Sequence, residues 1–581
     1  MPAKSNQMTG AQLILRALKK YDLTTAFCLA GTAHGPLLVE LAKDKISVIS
    51  GRNESATVGA ADGYARVTGK LGVALINAEH GLPNAMTGIL TAQEACSPVI
   101  VLLTMPYGNR ADAQGGYPSN VLSMVSPFVK YCQLVPDADR LQEYIEVAAR
   151  HALSGRPGVA VLGVPNGFQT QAITYAEGIN PAATVAPTFE PDADAIAQAA
   201  LLLSKAKRPL ILAGSGAALS GAGDALRKFT KAYNIPIFAN ALGRGLVPED
   251  DVLSYSWPLA NGSAAPADVV MVLGMRLTQR MGYGLAPRFD KNAKFIQIDV
   301  HPEEIGRNRP IHVPVVSDAK QAVQFLHQAL KELKTKPKAA PTWIKKAMKP
   351  RLERIQELAT SPVGGPIQPF DMARAVTAYM PKNAIYAGDG ADTQNWMHGF
   401  LRVKTERSFL DHYPVGCMGT VLPLAVGAAA ATKEEAEKTG KKPRPVVLVS
   451  GDGAFGFYCS EINGAVQAGL PLLTIICNDG AWGTEKHGQI MQLGEVVNCE
   501  LGHNDYQLIG EAYGAFGLKV EDPAELDSTM KKAYKAVPDG PVVVNVIVDG
   551  MAGLVRKKEP LVQTIAFSDL LTGQKAQYDL D

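Results

Sequence analysis

Short apolar runs alternate with longer amphipathic stretches in three successive parts of the chain, residues 1–185, 190–335 and 366–550. Val269–Leu273 and Leu472–Cys477 are two such runs, and each is followed by a glycine or an asparagine. The stretches between the runs place apolar residues three or four positions apart, as on one face of a helix. Short apolar runs between helical stretches are typical of buried parallel strands. The pattern predicts an α/β fold with three doubly wound parallel-sheet domains.

Polar segments join the three predicted domains. A proline-containing stretch near residues 186–194 separates the first two, and residues 336–365 form a basic, proline-containing linker before the third. We expect this linker to be a solvated surface segment rather than a nucleic-acid patch. Residues 551–581 form a polar, irregular tail, which is a candidate lid over the site.

Composition and charge are those of a soluble globular protein. The 581 residues are 47% hydrophobic and carry a net charge of +2, so nothing indicates nucleic-acid binding. No apolar run approaches the roughly 20 residues of a membrane span, and the N-terminus lacks the apolar core of a signal peptide. Seven scattered cysteines without a CxxC pair predict free thiols in a reducing cytoplasm.

The most informative stretch runs from Val449 to Glu485. An apolar strand ends in Gly451-Asp452-Gly453, a helix of about four turns is expected to follow, and a second apolar strand ends in Asn478-Asp479-Gly480. The carboxyl ends of parallel strands meet at one edge of a sheet, where α/β proteins bind ligands. We therefore expect the two turns to form one site.

Asp452 and Asn478 are candidate ligands of a divalent cation, together with the carbonyl group of Gly480. One carboxylate, one amide oxygen and one carbonyl leave room around Mg²⁺ for phosphate oxygens and water. The backbone N–H groups of Gly453 and Ala454, at the start of the helix, are placed to bind the same phosphates. The alternative is an ordinary strand–turn–helix connection that merely favours glycine and aspartate.

The GDG turn, the helix and the NDG turn resemble the diphosphate-binding motif of thiamine-diphosphate-dependent enzymes. The acetolactate-synthase-like family, which includes the pyruvate, benzoylformate and oxalyl-CoA decarboxylases, is the nearest group. The resemblance implies thiamine diphosphate and Mg²⁺ as cofactors, and it places Gly451, Gly453 and Ala454 among the diphosphate contacts. It extends over nearly the whole chain.

Glu54 is the candidate catalytic acid of the first domain. It lies in GRNESA, after an apolar run and before the small-residue helix AADGYAR. In the family, a glutamate here contacts N1′ of the aminopyrimidine ring and promotes loss of the thiazolium C2 proton. That role needs a carboxylate that is shielded from water and has a pKa suited to sharing a proton. The alternative is a glutamate that stabilises a helix N-terminus through the helix dipole.

Further candidates in the first domain surround the expected substrate pocket. Glu79-His80-Gly81-Leu82-Pro83-Asn84 replaces the family's G-P-G-x-x-N turn, so His80 is a candidate acid or base and Asn84 a candidate cofactor contact. His34 follows another predicted strand and is expected to reach the same pocket. The two histidines are similar to those of the cyclohexane-1,2-dione hydrolase branch, although each could be a hydrogen-bonded structural residue. Gln114 lies where relatives carry a Phe-Gln-Glu element, and it is a candidate substrate contact.

The third domain contains a second GDG turn, Gly388 to Gly390, which has no NDG partner and receives no metal. Asp392 and Thr393, which follow it, resemble the family's other diphosphate-contacting turn. Gly416-Cys417-Met418-Gly419 resembles the G-x-M-G element, in which the methionine bends the cofactor and the Gly416 carbonyl accepts a 4′-amino proton. Trp482 lies where acyl-CoA-using relatives have a tyrosine, and we assign it to cofactor binding.

The middle domain resembles the family's nucleotide-holding domain. Gly214 lies in a glycine-rich loop, Arg276 is placed to pair with a phosphate, and Asp299 follows the last predicted strand, where an acid grips a ribose. Relatives hold FAD or ADP here, and many members keep the domain empty. All three alternatives stay open.

The resemblance implies an enzyme that cleaves or forms a carbon–carbon bond beside a carbonyl, through a thiazolium ylide and a carbanion. His80 in place of the Gly-Pro-Gly turn favours a lyase or carboligase acting on 2-oxo acids, 2-hydroxy ketones or diketones. The alternatives are a 2-hydroxyacyl-CoA or oxalyl-CoA lyase or decarboxylase with ADP in the middle domain, and an inactive regulatory homologue. In the family, the halves of the site meet across a subunit interface, which implies a homodimer with shared sites, assembled as a homotetramer.

Overall fold

Three parallel six-stranded sheets with helices packed on their faces form the body of the protein, which confirms the predicted fold class. The structure is a computed structural model, and it describes residues 7–105, 120–174, 188–333, 337, 342–358 and 364–552. We refer to residues 7–174, 188–333 and 364–552 as the N-terminal, central and C-terminal units.

The N-terminal unit carries a six-stranded parallel sheet and a separate antiparallel strand pair, β1 with β8. Its strands are β1 (Gln7–Thr9), β2 (Thr25–Cys28), β3 (Ser47–Ser50), β4 (Gly72–Ile76), β5 (Val99–Met105), β6 (Tyr131–Leu134), β7 (Val159–Pro165) and β8 (Ala172–Thr174). Its α-helices are α1 (Gly10–Lys19), α2 (Gly35–Lys43), α3 (Glu54–Thr68), α4 (Ala78–Glu94), α5 (Val121–Val125) and α6 (Leu141–Leu153). The strand order of the sheet is β3-β2-β4-β5-β7-β6.

The central unit has the strand order β11-β10-β9-β12-β13-β14. Its strands are β9 (Pro209–Ala213), β10 (Ile237–Ala239), β11 (Ser254–Ser256), β12 (Val269–Leu273), β13 (Lys294–Asp299) and β14 (Val313–Val316). Its α-helices are α7 (Ala193–Ser204), α8 (Ser215–Leu219), α9 (Gly223–Tyr233), α10 (Trp257–Ala260) and α11 (Ala319–Glu332). Helix α12 (Thr342–Leu358) lies in the segment that the sequence predicts as a linker.

The C-terminal unit repeats the strand arrangement of the N-terminal unit, with the order β16-β15-β17-β18-β20-β19. Its strands are β15 (Ile385–Gly388), β16 (Phe409–Asp411), β17 (Val446–Gly451), β18 (Leu472–Asn478), β19 (Phe516–Val520) and β20 (Val542–Ile547). Its α-helices are α13 (Pro369–Tyr379), α14 (Ala391–Phe400), α15 (Val421–Thr439), α16 (Asp452–Tyr458), α17 (Glu461–Gln467), α18 (Gly483–Leu493), α19 (Tyr506–Ala512) and α20 (Pro523–Ala536). The strand order reverses between β15 and β17, and such a switch point is where open α/β sheets bind ligands.

One local expectation from the sequence is wrong. The predicted four-turn helix after Gly453 is two short helices, α16 and α17, separated at Cys459-Ser460. The segment from Glu79 to Asn84, which replaces the family's turn, lies in the beginning of α4, with Pro83 inside the helix.

Helices α3 and α15 join the N-terminal and C-terminal units, and their backbones pack in direct contact. A Cβ atom at Gly427 would lie 1.8 Å from the carbonyl oxygen of Ala60, and one at Gly63 would lie 2.0 Å from that of Leu424. Only glycine permits so close an approach of two backbones. Helix α3 begins at Glu54, so this contact fixes the position of that residue relative to the C-terminal unit.

None of the helices in the described ranges is both long and apolar enough to cross a bilayer. All seven cysteines lie within these ranges, and every one is a free thiol.

Candidate active site

The two GDG turns lie side by side at the carboxyl edge of the C-terminal sheet. They follow β15 and β17, which pair in parallel. A Cβ atom at Gly451 would lie 3.3 Å from the Thr393 hydroxyl oxygen, and one at Gly390 would lie 3.3 Å from the Gly451 amide nitrogen. The predicted diphosphate contacts Thr393 and Gly451 are therefore neighbours.

Asp452 is a buried carboxylate at the start of α16, with 1% of its surface exposed. One oxygen accepts a hydrogen bond of 2.8 Å from the Gly453 amide, and the other, Oδ2, has no donor among the residues that the structure describes. Burial and the neighbouring Asp479 carboxylate raise the pKa of Asp452. A buried oxygen of this kind is costly unless a cation or a proton satisfies it.

Asn478, a predicted metal ligand, is hydrogen-bonded on both ends of its side chain, and its role as a ligand stays a prediction. Its side-chain amide donates to the Asn504 carbonyl and to Asn545 Oδ1, each at 3.0 Å. Its amide oxygen accepts a hydrogen bond of 3.2 Å from the Gly480 amide. Asn478 is fully buried and serves to hold the turn after β18.

The Gly480 carbonyl is also occupied by the protein itself. It accepts hydrogen bonds from the amides of Leu501 at 2.7 Å and Gly502 at 2.9 Å. These amides hold the Gly480 carbonyl at the end of the turn, and its assignment as a metal ligand stays a prediction.

Asp479, between these two residues, turns toward Asp452. Burial and the Asp392 carboxylate raise the pKa of Asp479, and its carboxylate interacts with that of Asp452. Asp479 is thus a further carboxylate beside the proposed cation site, and the sequence analysis did not single it out although it lies inside the NDG turn.

Asp392 and His487 form a charge pair beside these carboxylates that the sequence does not reveal. His487 Nδ1 lies 3.0 Å from Asp392 Oδ2, and the other ring nitrogen lies 3.0 Å from the Gly550 carbonyl oxygen. Burial opposes a charge on the ring, but Asp392 raises the pKa of His487 overall. When protonated, the His487 ring supplies one positive charge next to the carboxylates of Asp392, Asp452 and Asp479.

Trp482 covers the GDG turn, as expected for a residue near the cofactor. A Cβ atom at Gly453 would lie 2.3 Å from the Trp482 ring, so the ring rests directly on the glycine. The Phe457 ring stands edge-on to Trp482 at 6.2 Å. Phe457 and Met418 are 55% and 38% exposed, and both lie next to Gly419 on the surface of this half-site.

The N-terminal half-site contains Glu54 and Asn84. Glu54 is 8% exposed, and its carboxylate accepts a hydrogen bond of 3.2 Å from the Asn84 side-chain amide. His80 lies near the start of α4, is exposed, and precedes Gly81, whose backbone contacts Glu54. The structure thus brings three of the predicted residues to one place.

Glu461 connects the N-terminal and C-terminal half-sites within one chain. The sequence analysis did not single it out. Its buried carboxylate accepts a hydrogen bond of 3.0 Å from the backbone amide of Arg52, two residues before Glu54. The Arg52 guanidinium bonds in turn to the Asn463 side chain at 2.6 Å. Burial raises the pKa of Glu461 to about 7.

His34, a predicted catalytic residue, lies beside the end of β4. The side chain is completely buried, with Nε2 2.9 Å from the Ile76 carbonyl oxygen and Nδ1 3.4 Å from the Gln169 amide. Burial lowers the pKa of His34 to about 4. These contacts suit an uncharged, hydrogen-bonded histidine, and its catalytic role stays a prediction. Gln114 and the tail from residue 553 lie outside the described residues.

Three family models match the chain in the order of its three units. They are the N-terminal TPP binding domain, the central domain and the C-terminal TPP binding domain of thiamine pyrophosphate enzymes, matched over residues 8–118, 196–326 and 389–546. The chain belongs to the thiamine-diphosphate-dependent enzymes. The family predicted from the GDG and NDG turns is therefore confirmed.

Relatives of this thiamine-diphosphate enzyme span nearly its whole length. It is 28% identical to the "Probable acetolactate synthase large subunit" of Methanococcus aeolicus, over 94% of this chain and 93% of the relative. It is also 28% identical to 2-hydroxyacyl-CoA lyase 1 of Mus musculus, over 94% of each chain. The crystal structure of benzoylformate decarboxylase from Polynucleobacter necessarius shares the fold, with a TM-score of 0.79, 22% identity, and coverage of 95% of this chain and 99% of that one.

The central unit of this thiamine-diphosphate enzyme contains a cavity of about 370 Å³ that Gly214, Arg276 and Asp299 all line. The Arg276 guanidinium is bound by the Glu94 carboxylate at 2.9 Å, so its charge is already balanced. Burial raises the pKa of Asp299, which accepts a hydrogen bond of 2.9 Å from the His301 amide. The three residues predicted to hold a nucleotide thus surround one cavity.

Proposed function

We propose that this enzyme uses thiamine diphosphate and Mg²⁺ to cleave or form a carbon–carbon bond beside a carbonyl group. The observation that carries the proposal is the buried Asp452 Oδ2, which has no donor among the described residues and faces a second carboxylate at the sheet edge. Family membership supports the cofactor, and the acetolactate synthase and 2-hydroxyacyl-CoA lyase relatives support the reaction class.

The donor set fits a hard divalent cation that also binds phosphate. Asp452, Asn478 and the Gly480 carbonyl would hold Mg²⁺, with the Asp479 carboxylate beside Asp452, and phosphate oxygens and water would take the other positions of the cation. Within the described residues, no group of three or more His, Cys, Asp and Glu side chains is arranged to hold a metal alone. This agrees with a cation that needs the phosphates of its cofactor. The amides of Gly453 and Ala454 would bind those phosphates.

Glu54 would hold the proton that it shares with a nitrogen of the aminopyrimidine ring, and Asn84 would orient its carboxylate. When bound, thiamine diphosphate supplies a thiazolium carbon that adds to a carbonyl and a ring that takes up the electron pair of the breaking bond. The small exposed fraction of Glu54 keeps water from competing for the shared proton. Gly416 and Met418 would hold the other face of the pyrimidine, and Trp482, Thr393 and Gly451 would line the diphosphate end.

His80 is our candidate acid or base for the substrate, with Gln114 as a further substrate contact. The position of His80 at the start of α4, one residue before the glycine that contacts Glu54, supports this role. We propose a small carbonyl compound as substrate, such as a 2-oxo acid, a 2-hydroxy ketone or a diketone.

A second candidate function is a 2-hydroxyacyl-CoA or oxalyl-CoA lyase or decarboxylase with ADP in the central unit. The central cavity, lined by Gly214 and Asp299, and the 2-hydroxyacyl-CoA lyase relatives favour it. FAD is the other nucleotide that the cavity would take in this family. An inactive regulatory homologue is disfavoured, because Glu54 and Asp452 are both retained.

We propose a homodimer with shared active sites, assembled as a homotetramer, in the cytoplasm. The exposed Met418 and Phe457 beside the C-terminal half-site give a second copy of the chain an apolar surface to cover. The seven free thiols suit a reducing compartment.

A substrate screen tests the proposed function. Purified protein with thiamine diphosphate and Mg²⁺ is incubated with 2-oxo acids, diketones and acyl-CoAs, and both consumption and products are followed. We expect turnover of at least one class that depends on both cofactors and is lost in Glu54→Gln. Turnover that needs CoA thioesters would select the second candidate. Absence of any cofactor-dependent turnover, together with absence of thiamine diphosphate binding, would refute both.

A further inference from the structure

The first GDG turn, Gly388 to Gly390, has no metal-binding partner, yet its aspartate is among the most buried acids of the chain. Asp389 is 1% exposed and follows β15 directly. Its carboxylate accepts three hydrogen bonds, from the Gly390 amide at 2.7 Å, His412 Nδ1 at 3.0 Å and the Val421 amide at 3.2 Å. A carboxylate that is this deeply buried and accepts three hydrogen bonds holds the segments of its donors in place.

Two of these three donors stand at the two ends of one segment. His412 follows β16, and Val421 is the first residue of α15, so Asp389 holds both ends of residues 412–421. Inside this segment, the Gly416 amide donates to the His412 carbonyl at 2.9 Å. The Thr420 hydroxyl donates to the Cys417 carbonyl at 2.8 Å. The segment is thus a closed loop tied at its base to a single side chain.

The same loop is tied to the helix that carries Glu54. Arg66, in the last turn of α3, donates a hydrogen bond of 2.9 Å to the carbonyl of Asp411, directly before His412. The Arg66 guanidinium is itself held by Asp62 through hydrogen bonds of 2.7 and 2.6 Å. Helix α3, which begins at Glu54, therefore has a bonded path to the base of the loop.

We propose that Asp389 and His412 are positioning residues that fix residues 412–421 so that Gly416 and Met418 hold the aminopyrimidine ring. This inference rests on the cofactor contacts proposed above for those two residues. The negative charge of Asp389 suits its place, because it faces the N-terminus of α15, where the helix dipole favours an anion. Hydrogen bonds to a buried carboxylate are stronger than neutral ones, so the loop is held more firmly than by backbone contacts alone.

The first test uses the cofactor-free protein, so that it does not depend on activity. Asp389→Asn and His412→Leu should each accelerate amide hydrogen exchange in residues 416–419 by about tenfold or more, because each removes a buried hydrogen bond. The control is Tyr534→Phe, which removes the 2.9 Å hydrogen bond to the Val376 carbonyl elsewhere in the same unit. It should leave exchange in residues 416–419 unchanged. Unchanged exchange in both test variants would overturn the proposal.

The second test separates positioning from general destabilisation. His412→Asn keeps a side-chain N–H that can reach Asp389, and it should restore most of the turnover that His412→Leu loses. We expect His412→Leu to lower kcat about tenfold or more with a smaller change in the affinity for thiamine diphosphate, because the His412 ring bonds to Asp389 rather than to a residue assigned to the diphosphate. Equal turnover in the leucine and wild-type proteins would overturn the proposal even if exchange were accelerated. Failure of the proposed function would appear differently, as absence of cofactor-dependent turnover in the unmodified enzyme. If Asp389→Asn does not fold, the two His412 variants carry both tests.

Discussion

The Asn84 side-chain amide, in the second turn of α4, donates a hydrogen bond of 3.2 Å to the carboxylate of Glu54, the first residue of α3. Asn53, the N-cap of α3, accepts a hydrogen bond of 2.8 Å from the Ser55 amide and fixes the start of the helix that presents Glu54. Glu54 is therefore held by its own helix and by a neighbouring one. This arrangement fixes the carboxylate before any ligand arrives.

Glu54→Gln should slow hydrogen–deuterium exchange at C2 of bound thiamine diphosphate by about 100-fold or more, as loss of a general acid or base commonly does. Glutamine keeps the shape and the hydrogen bond with Asn84 but cannot share a proton with the ring. Exchange is measured by NMR after acid quench of the holoenzyme. Glu143→Gln, which removes an exposed carboxylate of the same unit, serves as the control. Normal exchange in Glu54→Gln would remove Glu54 from the mechanism.

Gly453→Ala should weaken thiamine diphosphate binding about tenfold or more, because the added methyl would lie 2.3 Å from the Trp482 ring and force it to move. Gly456→Ala is a matched control, since it lies in the same helix, α16, with no atom within 4 Å of the added Cβ. Quenching of tryptophan fluorescence during a cofactor titration measures both affinities. If the two alanine variants bind equally well, Trp482 does not line the cofactor site.

Asn478→Ala should raise the Mg²⁺ concentration for half-maximal activation about tenfold or more, because it removes an oxygen proposed to bind the cation. It should also lower the thermal midpoint of the metal-free protein, because it breaks hydrogen bonds that are fully buried. Asp479→Ala keeps those hydrogen bonds, so it should change both quantities less. Mg²⁺ titration and thermal denaturation measure the two effects. An unchanged Mg²⁺ requirement in Asn478→Ala, together with a raised one in Asp479→Ala, would show that Asp479 and not Asn478 binds the cation.

His34 should make the N-terminal unit lose stability as the pH falls. Burial lowers the pKa of His34 from 6.5 to about 4, so the unfolded chain takes up this proton at a higher pH than the folded one. The contribution of His34 to the free energy of unfolding is complete above pH 6.5 and is lost as the pH falls toward 4. Its total is about 3 kcal/mol.

Between pH 7 and pH 5, the thermal midpoint of the wild-type protein should fall about 5 °C further than that of His34→Gln. Glutamine keeps a hydrogen-bonding group at this place but does not titrate. His301→Gln, at a more exposed position, should follow the wild-type curve. If the thermal midpoints of the wild-type protein and His34→Gln fall equally between pH 7 and pH 5, then His34 takes up its proton in the folded state.

The sequence predicts the fold and the two GDG turns well, because both follow from local patterns. Apolar runs such as Val269–Leu273 leave few alternatives to a buried parallel strand, and the strand found there has the same bounds. The turns at Gly390 and Gly451 adjoin because β15 and β17 are neighbours, which the family resemblance already implied.

The sequence does not predict the distant partners that hold a candidate ligand in place. The Asn478 side chain donates to Asn504 and Asn545, which lie 26 and 67 residues further along the chain. His34 illustrates the same limit. Its burial depends on the Ile76 carbonyl and on Gln169, 135 residues away, which no local pattern reveals.

The glycine-lined crossing of α3 and α15 restricts how this protein can be recombined with its relatives. No side chain fits where Gly427 meets the Ala60 carbonyl or where Gly63 meets that of Leu424. A hybrid enzyme that takes its first and last segments from different parents must therefore inherit both small-residue helices, or the two backbones will be pushed apart. Two breakpoints inside the central unit, with only the segment between them taken from the second parent, would keep α3 and α15 from one parent.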